Sequence, residues 1–284
     1  MHIFFRVQCK MHFLSILAIF KNEDHVMDEW LNHYINQGVD HFFMIDNGST
    51  DNYKQIIEKY KNKITLFVDD EKGVQPKLYS KYISENLKTT EWLLVCDLDE
   101  FLWGVNKNVR SFLKSIKDEK IGQIQIPWER FGSSGYKKQP KSIIKSFLYR
   151  REYKNETSPM KSIGRSDAIT NIYVHDFGLK DGYYTVDSNL NKKDPKEYFK
   201  LNESDIHKAV LRLSHYQVQS YDFFMNNKAK RGIVNTEVER TEQFFKDHDT
   251  NDIYDEGLFR KTMGIYYFIP VFIFIAFFTF FLNL

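Results

Sequence analysis

Residues 13–51 read FLSILAIFKNEDHVMDEWLNHYINQGVDHFFMIDNGSTD, and the order of patterns inside that stretch decides the fold class. Phe13 to Phe20 is a continuous apolar run, as expected of a strand covered on both faces. After the polar Asn22-Glu23-Asp24, the residues Val26, Met27, Trp30, Leu31, Tyr34 and Ile35 recur at three-and-four spacing. That is one face of a helix, and Gly38 is where it should end. A second strand, His41 to Ile45, opens into Asp46-Asn47-Gly48-Ser49-Thr50-Asp51, a polar turn whose last residues can cap the next helix.

Working outward, Tyr53, Ile56, Ile57 and Tyr60 form the inner face of that helix. Ile64 to Val68 gives a third strand, residues 75–88 a further helix, and Glu91 to Cys96 a fourth strand. Strand and helix alternating at this interval predict an α/β fold with a mostly parallel, doubly wound, Rossmann-like sheet and flanking helices. Ligands of such sheets bind beyond the carboxyl ends of the strands. Three polar clusters fall there: Lys21-Asn22-Glu23-Asp24, the turn Asp46 to Asp51, and Asp97-Leu98-Asp99-Glu100.

Composition limits what the chain can be. Its 284 residues are 42% hydrophobic and 16% aromatic, enough to bury a substantial core. Lys and Arg number 40 against 38 Asp and Glu, so a net charge of +2 gives no electrostatic case for nucleic acid. Cys9 and Cys96 lie far apart and suggest neither a disulfide framework nor a zinc site. At the start, Arg6 and Lys10 interrupt the apolar runs and no small-residue cleavage site follows, so residues 1–12 read as an extension before the first strand. At the end, residues 265–284 (IYYFIPVFIFIAFFTFFLNL) carry no charge over a length that just spans a bilayer core. Arg260 and Lys261 precede that segment, which predicts a single-pass tail anchor with the folded domain on the cytosolic side. A core helix or strand is the alternative, and Pro270 and the Phe-rich, β-branched composition keep it open.

The carboxylate cluster has its own chemistry. In extended backbone, side chains two apart share a face, so Asp97 and Asp99 should converge while Leu98 turns into the core and Glu100 alternates away. Two carboxylates held close repel unless a cation or a proton lies between them. A hard divalent ion, Mn²⁺ or Mg²⁺, suits such oxygens and keeps positions open for substrate phosphates. By offsetting charge on departing oxygens, it serves a nucleoside diphosphate leaving group.

Taken together, LAIFKNEDHVMDEWLNHYINQGVDHFFMIDNGSTDN, WLLVCDLDEFLW, WERFGSSG, MKSIGRS and LSHYQVQSYDFFMNNKAKRG resemble glycosyltransferase family 92 and the neighbouring family-2-like transferases of GT-A fold, over residues 13–255. The resemblance implies an inverting glycosyltransferase that moves a sugar, often galactose, from a UDP-sugar to a glycan or glycoconjugate, with Mn²⁺ at the Asp-x-Asp. It places a GT-A domain over residues 13–262, with a nucleotide half at 13–105 and an acceptor half at 106–262. Lys21, Asn22 and Glu23 would line the nucleotide pocket and Asp46 would approach the uridine. Asp97 and Asp99 would hold metal and diphosphate. His215 would add a ligand from a late loop, and Lys228 and Arg231 of NNKAKRG would contact phosphate.

Each of these residues also has a plainer reading. Asn22 and Glu23 can simply start a helix, Asp46 can close an Asx turn, and a lone His such as His175 or His215 is often structural. Trp128 serves equally as sugar platform or core. An inverting transfer also needs a general base near the acceptor hydroxyl. Glu129, Asp167 and Asp222 are the candidates, Glu129 preferred for its neighbours Trp128 and Arg130. Two other functions stay open, a non-catalytic glycan-binding relative at a membrane and a phosphotransferase using the Asp-x-Asp. Asn-x-Ser/Thr triplets begin at Asn47, Asn155 and Asn202, and a glycan on Asn47 would block the expected nucleotide loop.

Overall fold

The apolar run at the start of the chain forms β1 (His12–Phe20), and its alternation settles which helix covers which face. Leu14, Ile16, Ala18 and Phe20 pack with Val26, Met27, Trp30, Leu31 and Tyr34 of α1 (Asp24–Asn36). Leu17 and Ile19 point the other way, onto Leu78, Tyr79 and Ile83 of α3 (Gln75–Ile83). Between these helices in sequence lie β2 (His41–Asp46), α2 (Tyr53–Lys59) and β3 (Ile64–Val68). The expected helix over 75–88 ends early. Asn86 donates its side-chain amide to Tyr82 O at 2.7 Å and Ser84 Oγ donates to Ser80 O, and such side-chain bonds compete with the helical ladder.

This computed structural model describes residues 11–71, 75–231 and 240–264, with the side chain of Arg231 left out. The expected N-terminal extension up to residue 10 and the expected anchor at 265–284 lie outside the described residues. Among the described residues, no helix is long and apolar enough to cross a membrane.

β4 (Thr90–Val95) completes a block in the order β3-β2-β1-β4, with all neighbours parallel. The sheet then continues through the strand Met160–Arg165, β6 (Ile121–Arg130), the strand Leu211–His215 and β5 (Glu100–Gly104). Tyr184–Asp187 runs parallel to β6 as a further strand. Met160–Arg165 is antiparallel to both β4 and β6, and Leu211–His215 is parallel to β6 and antiparallel to β5. The result is a mixed α/β architecture whose sheet is mostly parallel. One sheet runs through the two expected halves, because β5 pairs only with a strand more than a hundred residues later. β1 lies between β2 and β4, so the strand order reverses beside it, and at such a switch point a crevice opens beyond the strand ends.

Candidate active site

Cys96 N still donates to Leu17 O at 3.1 Å, extending β4 along β1, and then the chain turns. Glu100 N donates to Asp97 O at 3.1 Å, which closes a four-residue turn over Asp97-Leu98-Asp99-Glu100. The extended backbone expected for the Asp-x-Asp is therefore replaced by a tight reversal, because β5 must leave in another direction to reach Leu211–His215. α1 fixes that reversal from beneath. The indole N–H of Trp30 donates to Asp97 O (3.0 Å) and Glu100 O (3.1 Å), and Tyr34 Oη donates to Glu100 O (3.1 Å). Leu98 is buried, as expected.

Each aspartate of the turn faces a buried ammonium. Lys161, fully buried on Met160–Arg165, donates to Asp97 Oδ2 at 2.8 Å and to Val174 O at 3.1 Å. Lys228 donates to Asp99 Oδ2 at 2.5 Å and to Gln217 O at 2.7 Å. Lys228 comes from a π-helical stretch, Phe224–Lys228, inserted between short α turns, and such π turns often mark functional sites.

Glu100 does not alternate away. It is wholly buried and one carboxyl oxygen accepts Asp97 N at 2.9 Å, 3.5 Å from Lys161 Nζ, while Oε1 has no hydrogen-bond partner. Burial pushes its carboxyl up to about 8, against the pull of Lys161, so it carries a proton at neutral pH.

His215 stands opposite Glu100 in the β5 pairing, which brings its Nε2 to 3.7 Å from Asp99 Oδ1. Burial pushes the imidazole down to about 3, so it is neutral, and its buried Nδ1 has no hydrogen-bond partner. Half-buried Trp128 lies against it, ring centres 4.2 Å apart, with His175 on another side of the indole at 5.3 Å. His175 is tied to Met160 O at 3.0 Å, which orients it toward the core of this wall.

The ends of β1 and β2 form the neighbouring wall. Asn22 adopts a left-handed φ of 54°, its N–H donating to Ser49 Oγ (3.1 Å) and its Oδ1 accepting Thr50 N (2.8 Å). Buried Glu23 offers its carbonyl to Val26 N and Met27 N, starting α1. Asp46 is also buried, accepting Ser49 N at 2.8 Å and the Tyr53 hydroxyl at 2.7 Å, which makes it an Asx-type turn. Lys21 Nζ lies 3.8 Å from where a Cβ on Gly48 would stand, so Gly48 leaves that amine room at the loop. Asn47 is buried with its amide spent on Asp69 O (2.8 Å) and Glu71 O (2.9 Å).

Two of the three candidate bases do not reach this place. Glu129 follows Trp128 on β6 and so points to the opposite face of the sheet. There its carboxylate accepts Arg212 Nε at 2.8 Å, in a buried chain that continues from Arg212 to Asp255, Arg150 and Glu203. Asp167 is exposed on the turn after Arg165, which pairs with Trp92 near the start of β4, at the end of that strand away from Asp97. Asp222 is half-buried on the turn that leads into the Lys228 segment. Lys230 is exposed on that segment, and the side chain of Arg231 lies outside the described residues.

Lys161 and Trp30 belong to the site without having been expected there. Lys161 had a signal. In Met160-Lys161-Ser162-Ile163 it shares the face of Ile163, so an inward strand face carries a charge that must be paired. Among the described residues, no three His, Cys, Asp or Glu side chains are gathered so as to hold a metal ion.

The description of glycosyltransferase family 92 matches residues 14–70 and 83–256. A glycosyltransferase family 92 protein of Oryza sativa subsp. japonica is 24% identical over 232 residues, covering 78% of this chain and 36% of the relative. A second, from Ricinus communis, is 23% identical over 230 residues, covering 78% of this chain and 38% of that protein. The chain thus spans little more than a third of the length of the curated relatives it matches. Among solved structures it is similar to S. aureus TarS 1–349, at 23% identity and a TM-score of 0.36 over 55% of this chain and 48% of that one. The same TarS fragment in complex with UDP gives 22% identity and a TM-score of 0.37, over 55% and 47%.

Proposed function

The chain belongs to glycosyltransferase family 92, and on that premise we propose that it transfers a sugar, with inversion, from a UDP-sugar to a hydroxyl of a glycan or glycoconjugate, at the Asp97–Asp99 turn. Galactose is the first donor sugar to test. The observation that carries the reading is the turn itself: two carboxylates beyond the carboxyl end of β4, beside the end of β1, where the strand order reverses.

The chain's own residues divide the work. Asn22, Glu23 and Asp46, fixed by loop-to-loop hydrogen bonds, would receive the nucleoside, with Lys21 at the same rim. Lys228 would face the diphosphate, and the Trp128 indole the transferred ring. Trp30 and Tyr34 keep the turn from moving as charge shifts. Of the three candidate bases we retain Asp222, which would take the acceptor proton.

A divalent ion, Mn²⁺ or Mg²⁺, would be held by Asp97, Asp99 and His215. The donor types suit such an ion, two hard carboxylates and an imidazole kept neutral by burial, but among the described residues the three are not gathered to hold one. When bound, the ion offsets charge on the leaving diphosphate. In the present arrangement both carboxylates are ion-paired, so an ion would compete with Lys161 and Lys228 for them.

Release of UDP from a panel of UDP-sugars, with Mn²⁺, Mg²⁺ or chelator, tests the reading. Wild-type protein should release UDP, and Asp97→Ala and Asp99→Ala should lose at least about a hundredfold, in the range lost when one charge-stabilising group is removed. Neither binding nor hydrolysis of any UDP-sugar under any metal condition would overturn it.

A further inference from the structure

A second cleft, of about 310 Å³, lies between the start of α1, Thr50 and Asp51 of the turn after β2, and the segment 223–227. We propose that it is the subsite for the sugar unit of the acceptor, binding a neutral, hydroxyl-bearing ring; this rests on the glycosyl-transfer reading above.

Charge excludes the donor's phosphates from it. Among the described residues, Asp24 and Asp51 line it and no Lys or Arg does, so a diphosphate would meet like charge from them. The rest of the lining suits hydroxyl groups: the amides of Asn22, Gln139 and Asn227, the imidazole of His25 and the ring of Phe223. Its volume sits at the lower end of the roughly 300–1,000 Å³ of small-ligand pockets, room for one ring rather than a chain.

The cleft is built rather than incidental. Gln219 is wholly buried with a left-handed φ of 55°, and its Oε1 meets His25 Nε2 at 2.9 Å and accepts Gln139 Nε2 at 2.8 Å. One buried side chain thus orients two lining residues, while its own Nε2 has no hydrogen-bond partner. Phe223 packs on His25 with ring centres 4.1 Å apart and completes an aromatic corner on which a sugar face can rest. Asp51 presents a buried Oδ1 that also has no partner, while its Oδ2 accepts Asp24 N at 2.8 Å.

Two lining residues are chain neighbours of residues assigned to the transfer site. Asn227 directly precedes Lys228, which holds Asp99, and Asn22 directly follows Lys21 at the end of β1. The π turn explains how neighbours serve both places. With Phe224 and Lys228 buried on its inner face, Asn227 is left lining the cleft.

Saturation-transfer NMR with methyl β-galactoside, methyl β-glucoside, methyl α-mannoside and N-acetylglucosamine tests the proposal, with UDP binding measured by calorimetry on the same samples. At least one saccharide should receive saturation, and keep it when UDP is saturating. His25→Ala and Asn227→Ala should each weaken that saccharide about tenfold, as expected for one lost polar contact, while UDP affinity stays within about twofold of wild type. Unchanged UDP affinity also certifies the fold of each variant. If UDP binds but no saccharide does, or UDP displaces the saccharide, or both variants keep full signal, the subsite is refuted and the transfer reading stands. If UDP and UDP-sugars fail to bind wild type as well, both fall together.

Discussion

Replacing Glu100 with Gln should stabilise the protein, and by an amount that grows with pH. Lys161 and Glu100 are wholly buried and meet the half-buried Asp97, two carboxyls against one ammonium. The group is neutral only if one carboxyl keeps a proton, and Glu100 keeps it, its pKa raised from 4.5 to about 8 by burial. The folded state therefore holds a proton that the unfolded chain releases above about pH 4.5. Stability contributed this way is fully present below the unfolded pKa and is lost as pH rises through the folded one. The loss runs at about 1.4 kcal/mol per pH unit over the 3.5 units between 4.5 and 8, approaching about 5 kcal/mol at the upper end. The amide introduced by Glu100→Gln resembles the protonated acid: its oxygen can still accept Asp97 N, and Lys161 stays paired with Asp97. Urea unfolding of wild type and Glu100→Gln at pH 5, 6, 7, 8 and 9 should give curves that nearly coincide at pH 5, diverge to pH 8 and run parallel beyond. If Glu100→Gln instead destabilises at pH 8, or the gap does not change with pH, Glu100 is an ordinary ion-pair partner of Lys161 and the argument fails.

Trp30→Phe removes the N–H shared by Asp97 O and Glu100 O; it should cost about 1–3 kcal/mol in unfolding experiments and lower UDP release more than it lowers UDP affinity. Arg212→Met strands the buried carboxylate of Glu129, while Asp255 keeps Arg150, and should destabilise by about 3–5 kcal/mol. Glu129→Gln should retain UDP release at wild-type pH dependence, because Glu129 faces the opposite side of the sheet; abolished turnover in a folded variant would restore it as the base. On the acid side, burial lowers His215 to about 3 and His33 to about 4. The unfolded chain takes up both protons below about pH 6.5, so stability should fall as pH drops through that window. His33→Gln should flatten the fall by about 1.4 kcal/mol per pH unit in urea titrations between pH 6 and pH 5.

The parallel block was legible because its signals are local. An eight-residue apolar run, a three-and-four helix face and a polar turn each report on a few neighbours, and together they placed Lys21 to Asp24, Asp46 to Asp51 and Asp97 to Asp99 at strand ends. Helix length was less legible, since Asn86 and Ser84 end α3 through side-chain bonds that periodicity does not weigh. The second half resisted for a different reason. Its strands are short and pair across long separations, Glu100 with His215 and Gly164 with both Leu93 and Gln123. Nothing near Glu129 announces that its partner will be Arg212. The conformation of the Asp-x-Asp was misjudged for the same reason: β5 pairs with Leu211–His215, and that distant strand bends the chain at Asp97.

That bend changes what the two aspartates do. In an extended strand they would face one point and repel, and only an ion would relieve them. In the turn each has its own lysine, and Glu100, lying between Asp97 and Lys161 without a second acceptor, takes a proton rather than a third counter-charge. The site is balanced before any ligand arrives. A divalent ion entering alone would upset that balance by two positive charges, and a diphosphate entering alone would upset it in the other direction. Entering together they nearly cancel, so the electrostatics favour joint binding over either alone, and by reciprocity each must tighten the other by the same factor. On the proposed reading the lysines would hold the carboxylates in register until a nucleotide and its ion arrive together.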